Sequence, residues 1–131
     1  MANASIARQV VCSMPTKVGL MADIAEALGG AGVNVSGVCA YEDEGKGVFM
    51  LVTDDNAKTA GVLRSMGGTV EEQGVVAIDM PNTPGALASA ARAIAGAGIN
   101  VLMAYGSTGS SPSAIVYLST ADNVAAAAAI G

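Results

Sequence analysis

Apolar and polar positions follow two periods along the first half of the chain. Residues 7–14 form an apolar-rich run typical of a strand, and the run ends at Pro15. Between 18 and 31 the apolar side chains recur three and four positions apart, which predicts a helix with one apolar face. They are Leu20 or Met21, Ile24, Leu28 and Ala31. Glycines then end the helix, and residues 33–41 return to a period of two, which predicts a second strand.

The next segments complete one module. Residues 42–47 are polar, contain glycine and are typical of a hairpin turn, and residues 48–52 form an apolar strand. Asp54-Asp55-Asn56 offers caps for a helix over 57–66. Residues 69–73 are a candidate fourth strand. The order β-α-β-β-α-β predicts an α+β fold of the ferredoxin-like kind, with an antiparallel sheet and the helices on one face.

The whole pattern occurs again in the second half of the chain, and the two copies align without a gap when residue 14 is set against residue 80. Between 14–35 and 80–101, 11 of 22 positions are identical. The repeat predicts two modules, 1–73 and 74–131, each near the lower size limit for a stable core. The second module is predicted as strand 75–80, helix 84–97, strand 99–105, turn 106–112, strand 114–119 and helix 122–130. Its last strand is missing: either the chain ends before it, or a segment from elsewhere fills its place.

Composition limits the partners and the chemistry. The net charge is −5 and the basic residues are scattered, so a nucleic acid partner is not expected. No apolar run is long enough to span a membrane and the start does not resemble a signal peptide, so we expect a cytoplasmic protein. Apolar residues make up 52% and charged residues 13% of the chain, which predicts that the modules pair within the chain and that chains form a homodimer.

Catalytic and metal-binding groups are scarce. The chain has no histidine, and its acidic clusters (42–44, 54–55 and 71–72) fall in a turn, a helix start and a strand and are not repeated. Cys12 and Cys39 lie in apolar runs and are expected to be buried, reduced thiols. We therefore expect no catalytic residues, no metal and no cofactor, and a protein that is not an enzyme.

The feature that both copies share is the loop from the first strand to the first helix. It runs Met14-Pro15-Thr16-Lys17-Val18-Gly19-Leu20 and then Met80-Pro81-Asn82-Thr83-Pro84-Gly85-Ala86-Leu87. Thr83 is expected to cap the second helix, with Pro84 in its first position. Gly85 would leave the helix-start amides uncovered, and such amides attract a carboxylate. A bare Pro-Gly can also do no more than start a helix.

The sequence Asn82-Thr83-Pro84-Gly85-Ala86-Leu87, an alanine-rich helix and Gly96-Ala97-Gly98-Ile99-Asn100-Val101 together resemble the ACT domain, a small regulatory module of amino-acid metabolism. The resemblance covers residues 7–130, and the chain is similar to stand-alone tandem ACT proteins without a catalytic domain. The first copy departs from the pattern at Lys17 and Val18. In the family, modules pair side by side. Small ligands, usually amino acids, bind between the strand-to-helix loop of one module and the early second strand of its partner.

The resemblance implies two sets of ligand-binding residues. They are Asn82, Thr83, Pro84, Gly85, Ala86, Leu87 and Asn100 in the second module, and Pro15, Thr16, Lys17, Val18, Gly19, Leu20 and Asn34 in the first. Asn34 and Asn100 suit a turn at the helix exit equally well. The second loop is expected to bind more tightly, because of Thr83 and Pro84.

Two functions follow as hypotheses. The first is a regulatory protein that binds a small molecule, an amino acid by preference, and passes an allosteric signal to a partner metabolic enzyme. The alternative is an ACT pair without a ligand, which only mediates assembly with a partner enzyme.

Overall fold

The computed structural model of the chain describes residues 2–108 and 111–131. Within these residues it contains six strands and four helices, which confirms the α+β class with antiparallel strand pairs. The elements are β1 (Asn3–Pro15), α1 (Leu20–Gly30), β2 (Val35–Asp43), β3 (Lys46–Thr53), α2 (Asn56–Ser65), β4 (Thr69–Pro81), α3 (Ala86–Gly96), β5 (Val101–Ser107), β6 (Ser113–Thr120) and α4 (Asn123–Ile130). The predicted turn 106–112 includes residues 109–110, which lie outside the described part of the chain.

The chain divides into two compact units. The inserted unit is the continuous segment Arg8–Gln73, and the host unit joins Gly74–Gly131 to the start of the chain, up to Ala7. In the inserted unit the strand order is β2-β3-β1-β4. In the host unit it is β1-β4-β6-β5, where β1 contributes residues 3–7. The first residues of β1 therefore occupy the fourth-strand place that the sequence left empty in the second copy.

Each unit has its own apolar core on the helix side of its sheet. The predicted face of α1 is confirmed, since Leu20, Ile24 and Leu28 are all buried. The inserted unit's core also contains Val10, Cys12, Met14, Val33, Phe49, Leu51 and Leu63. The host unit's core has smaller side chains and consists of Val76, Ile78, Met80, Ala90, Ile94, Leu118 and Ala126.

A β-bulge changes which side chains of β2 face the core. The pairing of β2 with β3 shifts between Val35 and Gly37, and the same shift occurs between Val101 and Met103 in β5. Beyond the bulge Val38 pairs with Leu51, a core residue. The expectation of one unbroken period-two face over 33–41 was therefore wrong, because the extra residue of a bulge reverses the alternation.

The repeat also contains a one-residue insertion that the ungapped alignment missed. Val10 pairs with Leu51 in the inserted unit, whereas Val76 pairs with Leu118 in the host unit. Equivalent residues of the first strands, Val10 and Val76, are thus 66 positions apart in the sequence. Equivalent residues of the third strands, Leu51 and Leu118, are 67 positions apart. The extra residue falls in the hairpin between β5 and β6.

Once this insertion is allowed for, the same set of asparagine hydrogen bonds is found in both units, and we call it the polar latch. Asn56 Oδ1 accepts hydrogen bonds from Thr53 N and Oγ1, at 3.3 and 2.7 Å, while its Nδ2 donates to the Arg8 carbonyl at 3.1 Å. Asn123 makes the same three bonds, to Thr120 and to the carbonyl of Gly74. The latch ties the start of the second helix of each unit to its first strand. Asp55 caps α2 as predicted, by accepting from Lys58 N at 3.0 Å.

Replacing Asn56 by alanine is expected to lower the free energy of unfolding by about 2 kcal/mol, because it breaks three hydrogen bonds, two of them to the partly buried Thr53. Urea unfolding followed by circular dichroism measures the change. Asn34→Ala is the control, since Asn34 bonds to Asp54 through its backbone N and carbonyl, which the substitution keeps. Equal losses in the two variants would contradict the role given to the Asn56 side chain.

The two cysteines differ in exposure. Cys12 is fully buried, as predicted, but Cys39 is only half-buried. Burial raises the pKa of the Cys12 thiol above its ordinary value. We expect a thiol reagent to label native protein at Cys39 and to reach Cys12 only after unfolding.

The raised pKa also predicts a pH effect. Below the ordinary thiol pKa, Cys12 is protonated in both the folded and unfolded states, so its contribution to stability is complete. As pH rises through the ordinary and then the raised folded pKa, that contribution is lost, because the unfolded state ionises first. Wild type should therefore lose stability above about pH 8.5 faster than Cys12→Ala does. Parallel pH profiles of the two proteins would contradict this.

Candidate functional site

The two strand-to-helix loops have the same backbone geometry. Gly19 and Gly85 each stand directly before a helix in the left-handed conformation, with φ of 83° and 85°. Each loop is also fastened to the hairpin of its own unit. Thr16 N donates to the Gly45 carbonyl at 2.9 Å, and Asn82 N donates to the Pro112 carbonyl at 2.8 Å. The likeness of the two copies in this region therefore reflects a shared loop structure.

The predicted roles of Thr83 and Pro84 at the helix start were wrong. Helix α3 begins at Ala86, its N-cap is Gly85, and no side chain caps it. The Thr83 carbonyl, not its hydroxyl, closes the turn by accepting from Ala86 N at 3.2 Å. The left-handed turn at glycine delays the helix by two residues, so Pro84 lies outside it. The argument that ranked the second loop above the first therefore fails.

The residues of the loops divide into exposed and packed positions. Val18 is fully exposed and Leu87 is 59% exposed. Leu20, by contrast, is buried in the core of the inserted unit, and Ala86 packs against the core of the host unit. Both of these residues thus have a packing role whether or not a ligand binds nearby.

An open cleft of about 290 Å³ lies beside the first loop, within the inserted unit. One wall is the loop with the first turn of α1, and the other is the end of β2 with the start of β3. The lining residues are Thr16, Lys17, Gly19, Leu20, Met21, Ala40, Tyr41, Glu42, Gly47 and Phe49. A Cβ at Gly47 would lie 2.8 Å from Leu20 Cδ2, so a side chain there would displace the end of Leu20. A cleft of this size suits a small metabolite.

The cleft carries charge of both signs. Lys17 Nζ forms a salt bridge of 2.9 Å with Asp23 Oδ2, and both side chains are about half exposed. Glu42 lies on the opposite wall. The start of α1 adds the partial positive charge of a helix N-terminus next to Lys17. The wall at Lys17 thus suits an anionic group that shares Lys17 with Asp23 or replaces Asp23 there, and the wall at Glu42 suits a cationic group.

The corresponding position in the host unit is uncharged. Thr83 stands in place of Lys17, Ser89 in place of Asp23, and Ser107 and Thr108 in place of Tyr41 and Glu42. The side chain of Asn82 also contributes to the loop itself, since its Nδ2 donates to the Ser111 carbonyl at 3.4 Å. The two loops therefore have the same backbone conformation, but the surroundings of the first are charged and those of the second are not.

The two asparagines at the helix exits lie away from the loops of their own units. Asn34 follows α1, whose 11 residues extend about 16 Å from the loop at the other end. Its backbone N donates to Asp54 Oδ1 at 2.9 Å, and its carbonyl accepts from Asp54 N at 3.1 Å. The Asn100 carbonyl accepts from Ala121 N at 3.2 Å. These bonds use backbone atoms of both residues, and neither unit brings its asparagine to its own loop.

The sequence interpretation missed the second wall of the cleft. The segment 42–47 was assigned to a turn, but β2 continues to Asp43 and β3 starts at Lys46, so the turn is only Glu44-Gly45. Glu42 is therefore a strand residue with a fixed side-chain direction, opposite Gly47. The sequence did contain a signal for this wall, namely the difference between the two copies. Lys17, Tyr41 and Glu42 are each replaced by another residue in the second copy.

A second, apolar groove of about 280 Å³ runs between α1 and the edge strand β2. It is lined by Met21, Ile24, Ala25, Leu28, Val35, Val38, Phe49 and Leu51. Met21 and Val38 are about half exposed, and Val35 is 36% exposed. Among the described residues no group of three or more His, Cys, Asp or Glu could hold a metal ion, and no helix is long and apolar enough to cross a membrane.

The sequence matches no protein-family profile and no curated protein. Solved structures do match. Protein BT0572 from Bacteroides thetaiotaomicron superposes with a TM-score of 0.87 at 24% identity, over 97% of this chain and 88% of that one. The ligand-free regulatory subunit of aspartate kinase from Thermus thermophilus gives a TM-score of 0.75 at 16% identity, over 99% and 95% of the two chains.

The regulatory subunit of aspartate kinase from Thermus flavus is a third match, with a TM-score of 0.67 at 19% identity over 98% of this chain and 94% of that one. At these identities the likeness establishes the fold. The chain has the fold of the regulatory subunits of aspartate kinase, which agrees with the ACT-like architecture that the sequence predicted.

Proposed function

We propose that the protein is a regulatory protein without catalytic activity that binds a small amino acid and passes the signal to a partner enzyme. The observation that carries the proposal is the cleft at the start of α1, where a lysine and a helix N-terminus face a glutamate. The α-carboxylate of the ligand would lie near Lys17 and the helix-start amides, and its ammonium group near Glu42. The fold shared with aspartate kinase regulatory subunits supports the regulatory role.

The proposed signal is a change in packing. A ligand shifts an equilibrium only through different affinities for two states. The cleft lies at the end of the edge strand β2, next to the apolar groove, so a bound ligand would change the surface on which another chain packs. We propose a homodimer as the assembly that responds, with Asn34 or Asn100 of another copy available to the ligand.

The alternative function is assembly without a ligand, and the exposed apolar groove favours it. A thermal-shift screen with the common amino acids separates the two. A ligand present at 100 times its Kd adds about 2.7 kcal/mol to stability, which raises Tm by roughly 10 °C in a chain of this size. No shift with any amino acid, in protein shown to be folded, would favour the assembly role.

Two substitutions test the orientation of the ligand. Lys17→Ala and Glu42→Gln should each weaken binding by about 1 kcal/mol, or fivefold in Kd, because each removes one charged contact at an open site. Glu44→Gln is the matched control: Glu44 belongs to the same hairpin but does not line the cleft. If all three variants bind equally well, the ligand does not occupy this cleft.

Gly85→Val is not a suitable test of the second loop. The space around Gly85 is open, but its φ of 85° strains any residue with a Cβ, most of all a branched one. A loss of binding in this variant would therefore not distinguish a crowded site from a distorted loop. Thr83→Lys tests the second loop instead, because it gives the host unit the cation of the first loop. We expect it to raise affinity for a carboxylate at that loop by about 1 kcal/mol or less.

A further inference from the structure

The host unit is discontinuous in sequence. Its strand residues 3–7 precede the inserted unit, and the rest of it begins at Gly74. To form the host sheet, the chain must bring these two segments together. If the inserted unit is unfolded, this closes a loop that comprises the whole of Arg8–Gln73, and the entropy lost in closure grows with loop length.

The folded inserted unit removes most of that loss, because its own two ends are already side by side. Arg8 Nε lies 3.3 Å from Glu72 Oε1, and Gln9 Nε2 donates to Gln73 Oε1 at 3.4 Å. The chain therefore leaves the inserted unit at two adjacent points. The inserted unit itself is continuous and contains all four of its own strands.

Beyond the backbone pairing of β1 with β4, the side-chain contacts that hold residues 3–7 in the host unit are slight. Among the described residues 2–7, Ala2 and Ala4 are the ones that pack against the host core, whereas Asn3 and Ser5 are exposed and Ile6 is 51% exposed. Two methyl groups bury little apolar surface. The pairing of residues 3–7 in the host sheet therefore depends on a high effective concentration of this segment. The folded inserted unit supplies it, because residues 3–7 continue directly into that unit.

We propose that the inserted unit folds by itself and is the template on which the host unit folds, so that the host unit opens first and the inserted unit opens only with it. A ligand that binds the host unit then protects both units against opening, whereas one that binds the inserted unit protects that unit alone. The proposal does not depend on which ligand, if any, the protein binds.

The first test changes the shared strand. Ala4→Asp places a carboxylate against the host core, and Ser5→Asp places the same group on the neighbouring exposed position. Native-state amide hydrogen exchange, read by NMR on the full chain, should show host-unit amides at least about tenfold faster in Ala4→Asp and unchanged in Ser5→Asp. The inserted unit should stay folded in both. The proposal would be overturned if the host-unit amides exchanged at equal rates in the two variants, or if the inserted unit unfolded in Ala4→Asp.

The second test uses matched substitutions that are mild enough to keep the fold. Ile24 and Ile94 are buried in the inserted and host cores, and Ile→Val removes one methylene from either. Ile94→Val should speed the slowest amides of both units, by roughly 2- to 12-fold, whereas Ile24→Val should speed those of the inserted unit alone. If each variant affects only its own unit, the units are independent. If both variants affect both units, the chain opens as one body. Either result overturns the proposal.

Discussion

Gly106→Ala is expected to lower the free energy of unfolding by about 3 kcal/mol. A Cβ at Gly106 would lie 2.5 Å from the Ile115 carbonyl oxygen and 2.8 Å from Val116 Cγ2. Because the nearest neighbour is backbone, no side-chain rotation can relieve the contact, and strand β6 must move. The repeat suggests the opposite, since the equivalent position in the first copy is Ala40.

Urea unfolding of the variant measures the loss, and Ala40→Gly is the reciprocal control. Ala40 is exposed, so its replacement should cost no more than about 1 kcal/mol, from the added backbone freedom of glycine in a strand. Equal stabilities for wild type and Gly106→Ala would show that β5 and β6 tolerate a side chain here, and that the two copies are closer in structure than we describe.

Val38→Lys is expected to convert the proposed homodimer into a monomer, with a Kd raised about 100-fold. Val38 is 46% exposed on the edge strand β2 and lines the apolar groove beside α1. A charge buried there on dimerisation would lose its hydration without gaining a partner, which costs about 3 kcal/mol. Light scattering over a micromolar concentration series measures the change in mass.

Val124→Lys is the control for this prediction. Val124 is 73% exposed on α4 and lies outside the groove, so the same substitution there should leave the dimer intact. A monomeric wild type at micromolar concentration would contradict the proposed assembly. A dimer that tolerates Val38→Lys would place its interface elsewhere.

The sequence was a good guide where a local pattern decides the structure. The spacing of Leu20, Ile24 and Leu28 predicted the buried face of α1, and Asp55 caps α2 as expected. In both cases the cause lies within a few residues along the chain, so a single segment contains the whole signal. The order of elements in each copy followed from the same kind of evidence.

The sequence failed where the cause lies far along the chain or in one extra residue. Nothing in residues 3–7 indicates that they complete the sheet of a unit that resumes at Gly74. The bulge after Val35 and the insertion before β6 each shift a register by one, which a period-two pattern cannot show. The second wall of the cleft was missed for a related reason, because Glu42 was placed in a turn rather than in β2.

Isothermal titration of the full chain with the common amino acids tests the central claim most directly. We predict that at least one amino acid binds with a sub-millimolar Kd, and that Glu42→Gln weakens the same titration about fivefold while Glu44→Gln does not. A folded protein that gives no binding heat with any amino acid, with the same result at a second temperature, would contradict the claim.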